Sequence, residues 1–300
     1  MADYVTYFNG EWIPYSEVKI NPNDRGFIGG DVVFDVARTF DGKSFRMKEH
    51  VDRLYRSLTY TRIDPGLSKQ EMTDISEEVI TRNEDVRSEV GDYSVWQFVT
   101  RGPGGRARDA GPPAVCVKLM PVGFPGFARY YDEGCHGVIV RTRSFPAQSL
   151  DPKVKHWSRM NFALADLETS DVDPEAYPIL TDLNGNLTEG TTNNVFLVTD
   201  GVIRTSPDND ILQGVSRGMV LDLAAQLDIP LVEEDIQPYD LYTADEAFFS
   251  STGPCVQPMT KADNRQIGDG KPGPISKQLL AAWSEAVGVD VIGQAQRYAR

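Results

Sequence analysis

Lys155 is the residue with the most chemistry to offer. It lies in SLDPKVKHWSRMNFALADLE, at the end of an extended VK segment and just before a helical stripe of Met160, Ala163, Leu164 and Leu167. A lysine at an element end can be desolvated, and its neutral amine then attacks a carbonyl, which is Schiff-base chemistry. Spacing alone equally allows Lys153 and Lys155 to be ordinary solvated charges. Lysine is the scarcer cation, 10 against 20 arginines. Glu189, in LTEG, enters a predicted hairpin; partly buried it would need a cationic partner, and at the surface it would need none. Arg53 follows Glu49 by four residues, so it either makes a surface ion pair or offers an anion a fork of two hydrogen bonds. Gly214-Val215-Ser216 open a predicted helix whose free amides and positive dipole end suit an anion. Ser216 would add a hydroxyl there or act as a plain N-cap.

Other chemistries lack their signatures. There is no GxSxG elbow, no GxxxxGK[ST] loop and no GxGxxG between a strand and a helix. His50, His136 and His156 are scattered, and a metal site would need all three to converge. Cys116, Cys135 and Cys255 are odd in number and have no CxxC pairing, which encodes neither a disulfide framework nor a zinc site and suits a reducing cytoplasm.

The elements that must hold these residues read as α+β in two lobes. Tyr4 to Phe8, an Asn9-Gly10 turn and Glu11 to Ile13 form a hairpin signal. Val51, Leu54, Tyr55 and Leu58 make the stripe of a core-facing helix, and residues 69–81 repeat the pattern behind a serine cap. Residues 93–100 and 114–119 read as strands around RGPGGRARDAGPP, an expected mobile loop. PVGFPGFARYY, residues 121–131, is the expected linker between a small domain at 1–120 and a larger one at 132–300. Beyond it come a strand at 137–143 and a helix from about Ser158 to Leu167. Two hairpins follow, around Asn184-Gly185 and Asp200-Gly201, then a helix after Gly214 and a strand from Asp245 to Ser251.

Composition agrees. The chain has 300 residues, 40% hydrophobic and 25% charged, enough for two cores and without an apolar run of membrane length. With 44 acids against 30 bases the net charge is −14, which repels nucleic acid in the absence of a local basic groove. The opening MADYVTYFNGEW has no basic or apolar leader, so a cytoplasmic location is expected.

Seven segments in order, FNGEWIP, DRGFIGGDVVFDVARTFDG, EHVDRLYRS, DPKVKHWSRMN, LTEGTTNNVFLV, ILQGVSRGMV and DEAFFSSTGP, resemble the fold-type IV pyridoxal-phosphate aminotransferases over nearly the whole chain. The resemblance implies a small α/β N-terminal domain, a larger β-barrel-like C-terminal domain with helices, and a homodimer. It makes Lys155, rather than Lys153, the lysine of the internal aldimine with pyridoxal 5′-phosphate. Glu189 would face the cofactor's ring nitrogen, and Leu212 would press on one ring face. Arg53, Val215, Ser216 and Thr252 would hold the phosphate. Phe34, Arg38, Trp96 and Gly253 would line the substrate side, with Arg106 or Arg108 as a mobile carboxylate-binding arginine or as solvated loop charge.

The implied reaction is ping-pong transfer from an amine to a 2-oxo acid such as pyruvate. The tail is most similar to (R)-selective amine transaminases, and RGFIGGDVVFDVAR to D-amino-acid and lyase members. An (R)-amine or D-amino acid is therefore the expected donor. Ser94-Val95-Trp96 lacks the Tyr-x-Arg pair of typical branched-chain enzymes. Branched-chain aminotransferase, aminodeoxychorismate lyase and a noncatalytic cofactor-binding protein are the alternatives.

Overall fold

The computed structural model describes residues 3–299, and its contacts group into two units. The first runs to Val122 and takes back Val154–Arg159; the second holds Gly123–Lys153 and the chain from Met160 onward.

The first unit contains β1 (Val5–Phe8), β2 (Glu11–Pro14), α1 (Arg25–Gly29), β3 (Val32–Phe40), β4 (Lys43–Ser44), α2 (Met47–Thr61), α3 (Lys69–Thr81), α4 (Arg87–Val90), β5 (Tyr93–Thr100) and β6 (Val115–Pro121). The six strands pair antiparallel in the order β2-β1-β6-β5-β3-β4. Asn9 and Gly10 both take positive φ, 52° and 95°, as the expected two-residue hairpin turn requires. α3 begins with the reciprocal capping box of Ser68 and Glu71.

Alternation along β3 separates two chemistries. Val33 and Ala37 face a core with Val51, Leu54 and Leu58 of α2 and Val95 and Val99 of β5. Each such buried aliphatic side chain contributes about 1.5–3 kcal/mol. Phe34 and Val36 face the other side, beside Trp96, Phe98 and Cys116. The segment Val154–Arg159 lies along β3: Phe34 N donates to Lys155 O at 3.0 Å, and Trp157 N donates to Val32 O at 3.0 Å.

The second unit contains α5 (Tyr130–Glu133), β7 (Cys135–Arg143), α6 (Met160–Ser170), β8 (Tyr177–Thr181), β9 (Asn194–Thr199), β10 (Val202–Thr205), α7 (Val215–Gln226), β11 (Leu231–Glu233), α8 (Pro238–Tyr242), β12 (Glu246–Ser251), β13 (Cys255–Ala262), β14 (Arg265–Gln266), α9 (Pro274–Val287) and α10 (Val291–Tyr298). Its sheet is mixed and runs β11-β10-β9-β12-β13-β7-β8, with β14 on β13. The β9–β10 turn at Asp200-Gly201 is the expected hairpin, with φ of 51° and 76°. No helix among the described residues is long and apolar enough to cross a membrane.

Three expectations need refinement. The change of unit between Val122 and Gly123 falls inside the expected 121–131 linker, but the stretch is packed: Phe124, Phe127, Tyr130 and Tyr131 are buried, because four large aromatics gain more from burial than a Gly/Pro-rich chain gains from freedom. The α6 stripe faces outward in this chain, with Met160 74%, Leu164 50% and Leu167 63% exposed. α6 instead packs Phe162 and Ala165 on Val138, Val140 and Leu180, a second set at helical spacing. Finally, the expected hairpin at Asn184-Gly185 is present but irregular: Thr181 bridges Leu187, Asp182 N donates to Asn186 O at 2.9 Å, and Thr188 N donates to Leu180 O at 2.9 Å across it, with β8 as its one regular strand.

Candidate active site

In the first unit the backbone of Lys155 is held on both sides. Its N–H donates to Ser57 Oγ at 3.1 Å, and its carbonyl accepts from Phe34 as above. Its Nζ stands 4.8 Å from the centre of the Phe34 ring, and the Arg159 guanidinium lies 5.1 Å from the same ring. Phe34 stacks on Trp96 at 5.9 Å, and Trp157 packs on Phe34 at 5.3 Å and on Phe98 at 5.0 Å. Lys155 thus sits against an aromatic wall. Burial, with the charges of Arg159 and Lys155 behind it, pushes the neighbouring His156 down to about 4. Lys153 has a different environment: it lies in the second unit and pairs with Asp151 at 3.0 Å.

Arg53 pairs with Asp35 of β3, not with Glu49. Its Nε donates to Asp35 Oδ2 at 2.8 Å and its Nη2 to Oδ1 at 2.8 Å. Arg38 is enclosed, its guanidinium 3.9 Å from the Phe40 ring centre and its Nε donating to Thr39 O at 3.1 Å. Arg106 and Arg108 stand on an exposed 3-10 turn, Ala107–Asp109, at the tip of the glycine-rich loop. The base of that loop, expected to be mobile, is tied down. Gly111 N donates to Pro103 O at 2.6 Å and Arg25 N to Gly102 O at 3.0 Å. Thr100 Oγ1 donates to Asp24 Oδ2 at 2.7 Å.

In the second unit Glu189 is buried and accepts from Leu212 N at 3.1 Å and from Asn194 Nδ2 at 3.2 Å. Asn194 Nδ2 also donates to Leu212 O at 3.0 Å, so one amide holds the carboxylate and the loop together. Two residues past Leu212, Gly214 is the N-cap of α7 and offers no side-chain cap to the first-turn amides. A side chain there would meet Asn194 Oδ1 at 2.2 Å, so only glycine lets the helix start beside Asn194. Val215 and Ser216 form the first turn. A buried carboxylate and an uncapped helix amino end therefore lie at opposite ends of a three-residue loop, a setting for a ligand with a cation at one end and an anion at the other. Asn194 pairs with Ser250 across the β9–β12 ladder, and Thr252 and Gly253 form the turn between β12 and β13.

The amino-transferase class IV family matches residues 32–262, a range that takes in Phe34 through Gly253. The chain belongs to the class IV amino-transferases. Among curated relatives it is 34% identical over 276 residues to a putative branched-chain-amino-acid aminotransferase of Methanocaldococcus jannaschii, covering 91% of this chain and 93% of that one. It is 30% identical over 282 residues to D-alanine aminotransferase of Staphylococcus haemolyticus, covering 94% and 97%. Among solved structures, branched-chain amino acid aminotransferase of Escherichia coli matches with a TM-score of 0.85 at 26% identity, covering 95% of this chain and 94% of that one. A T.th. branched-chain amino acid aminotransferase complexed with N-(5′-phosphopyridoxyl)-L-glutamate matches with a TM-score of 0.85 at 26% identity, covering 99% and 97%. These relatives and structures are branched-chain and D-alanine aminotransferases, which support the class IV assignment and not specifically an (R)-selective amine transaminase.

Sequence reasoning missed several residues that hold the candidate side chains of this aminotransferase in place. Asp35 holds Arg53, His50 holds Asp35, Ser57 holds Lys155, and Asn194 holds Glu189. Three of them sit where an apolar pattern predicts core, and their signal is a polar residue interrupting a buried stripe: Asp35 between Val33 and Ala37, and His50 and Ser57 beside Val51 and Leu58.

Proposed function

We propose that this aminotransferase works with pyridoxal 5′-phosphate and moves an amino group between an amino acid with an apolar side chain and a 2-oxo acid. The observation that carries the cofactor assignment is the pairing of buried Glu189 with the uncapped amino end of α7 across Leu212–Gly214. A protonated pyridine nitrogen and a phosphate are the two ends such a pair accommodates, so the residues fit the group. Glu189 would keep the ring nitrogen protonated, and Leu212 would cover the ring. Arg53, the amides of Val215 and Ser216, and Thr252 would hold the phosphate. When bound, the cofactor supplies an electron sink for the charge that develops at the substrate carbon. Lys155 would attach the cofactor and, once displaced by the incoming amine, hold and move a proton at Nζ.

The apolar substrate reading rests on the wall of Phe34, Trp96, Phe98 and Trp157 and on the similarity to branched-chain enzymes, one of them complexed with 4-methylvaleric acid. A D-amino acid or (R)-amine donor is the second reading, favoured by the D-alanine aminotransferase relatives. Arg106 and Arg108 would then take the substrate carboxylate, with Arg38 and Gly253 on the substrate side. The outward face of α6, Met160, Leu164 and Leu167, supports a homodimer.

Borohydride reduction followed by peptide mapping tests the cofactor assignment, which requires the label on Lys155. A panel of L-leucine, L-valine, D-alanine and an (R)-amine, each with 2-oxoglutarate and with pyruvate, tests the substrate. Turnover of D-alanine or of the (R)-amine above that of both L-amino acids replaces the first reading with the second.

A further inference from the structure

Asp35 is a fully buried carboxylate of the first unit with a partner on each oxygen. Its Oδ1 accepts from Arg53 Nη2 at 2.8 Å, from His50 Nδ1 at 2.7 Å and from Val36 N at 2.7 Å, while Oδ2 accepts from Arg53 Nε at 2.8 Å. Asp35 is 0% exposed, His50 2% and Arg53 4%. Burial works most strongly against the Asp35 charge, but the Arg53 charge and the His50 hydrogen bond outweigh it and hold the carboxyl far below its usual range. Burial pushes the His50 imidazole below its ordinary range, although the Asp35 hydrogen bond pulls the other way, and Nδ1 is the nitrogen that faces the carboxylate. Such a cluster is a poor source of stability, because apolar side chains of the same volume stabilise a core as well or better.

What the cluster does supply is orientation. Two nitrogens on one edge of the guanidinium are fixed by two oxygens of one carboxylate, which removes rotation about the last side-chain bonds. The same face of α2 carries His50, Arg53 and, one turn further, Ser57, which pins the backbone of Lys155. One helix face and one strand carboxylate therefore set the positions of both Arg53 and Lys155.

We propose that Asp35 is a positioning residue that fixes the Arg53 guanidinium for binding the cofactor phosphate, an inference that rests on the phosphate role given to Arg53 above. The test is the affinity of the cofactor-stripped protein for pyridoxal 5′-phosphate and for pyridoxal, which lacks the phosphate, measured by spectral titration. Arg53→Gln is expected to weaken pyridoxal 5′-phosphate and spare pyridoxal; if it does not discriminate, the phosphate role of Arg53 itself fails. With that role intact, Asp35→Asn is expected to weaken pyridoxal 5′-phosphate by about tenfold or more, leave pyridoxal within about twofold, and add nothing in the double variant with Arg53→Gln. Equal losses for both ligands, unchanged affinity, or tighter phosphate binding once the carboxylate charge is gone would each overturn the positioning role. Should circular dichroism show Asp35→Asn unfolded, Arg53→Lys keeps the charge and discards the fork. It is expected to lose pyridoxal 5′-phosphate selectively, and retained affinity would overturn the inference.

Discussion

Replacing Gly214 by alanine tests whether the start of α7 and the grip on Glu189 are one arrangement. The backbone there, φ −63° and ψ 132°, suits any residue, so the substitution probes space and not strain. The new methyl would lie 2.2 Å from Asn194 Oδ1, well inside contact distance, and Arg217 Cβ at 3.2 Å closes the other side. Asn194 must swing away, losing its bonds to Leu212 O at 3.0 Å and Glu189 at 3.2 Å. A neutral hydrogen bond contributes about 0.5–1.5 kcal/mol and one to a charge about 1.5–3, together about 2–4 kcal/mol. Reduced entropy of the unfolded chain returns about 0.4–1 kcal/mol. The net loss is roughly 1–4 kcal/mol, a fall in Tm of roughly 2–16 °C. Cofactor affinity should fall with it, since the carboxylate and the helix end shift together. Gly126→Ala is the control, with open space around its new methyl and an ordinary φ. Calorimetry and cofactor titration of both variants check the argument. A Gly214→Ala protein that melts with wild type and binds cofactor equally well would refute it.

Lys155→Ala should abolish the yellow cofactor band and all transamination, while Lys153→Ala, which removes only the ion pair to Asp151, should keep at least half of both; the absorbance spectrum and a coupled assay read the difference. Glu189→Gln should leave cofactor bound but slow the half-reaction by at least about a hundredfold, measured by stopped flow, because a neutral amide does not hold the ring-nitrogen proton. Arg106→Ala and Arg108→Ala, made separately, should show in a KM survey which one raises KM for 2-oxo acids; Tm should hold, since both are exposed. The depressed His156 gives a pH signature: the unfolded state takes up its proton near 6.5 and the native state only near 4, so stability is whole above 6.5 and lost as pH falls from 6.5 toward 4. His156→Gln should flatten that part of the Tm-against-pH curve.

The sequence readings that held are those in which burial of apolar groups or a steric rule speaks through spacing. α2, α3, β5, β6 and the hairpins at Asn9-Gly10 and Asp200-Gly201 stand where periodicity and turn residues put them. α6 was legible as a helix but not in its orientation, because Met160, Leu164 and Leu167 and the set Phe162, Ala165 and Thr169 both recur at helical spacing. Only the strands beneath α6 select between them. The return of Val154–Arg159 along β3 was not legible either: its bonds are backbone to backbone, from Phe34 to Lys155 and from Trp157 to Val32, and leave no mark on side-chain pattern.

The site follows the same logic in reverse. Lys155 and Glu189 gain their roles through motif order, and Ser57 and Asn194, which hold them, were not singled out. A hydropathy pattern treats a polar residue on a buried face as noise, whereas a buried polar group is costly unless a partner is built for it. Asp35, His50, Arg53 and Ser57 interrupt the apolar faces of β3 and α2 at four places, and each finds its partner within that group or at the Lys155 segment. Asn194 does the same on β9, between Glu189 and Leu212. The interruptions coincide with the chemistry because positioning a charge requires another polar group beside it, and in a core that group must displace an aliphatic one. Substituting an aliphatic residue of matching volume at Ser57 should therefore cost about 1–3 kcal/mol of stability and lower the fraction of protein that retains cofactor, since beyond a local bond to Arg53 O the change leaves Lys155 N–H without its acceptor. Unchanged cofactor retention would mean that the polar stripe of α2 is packing and nothing more.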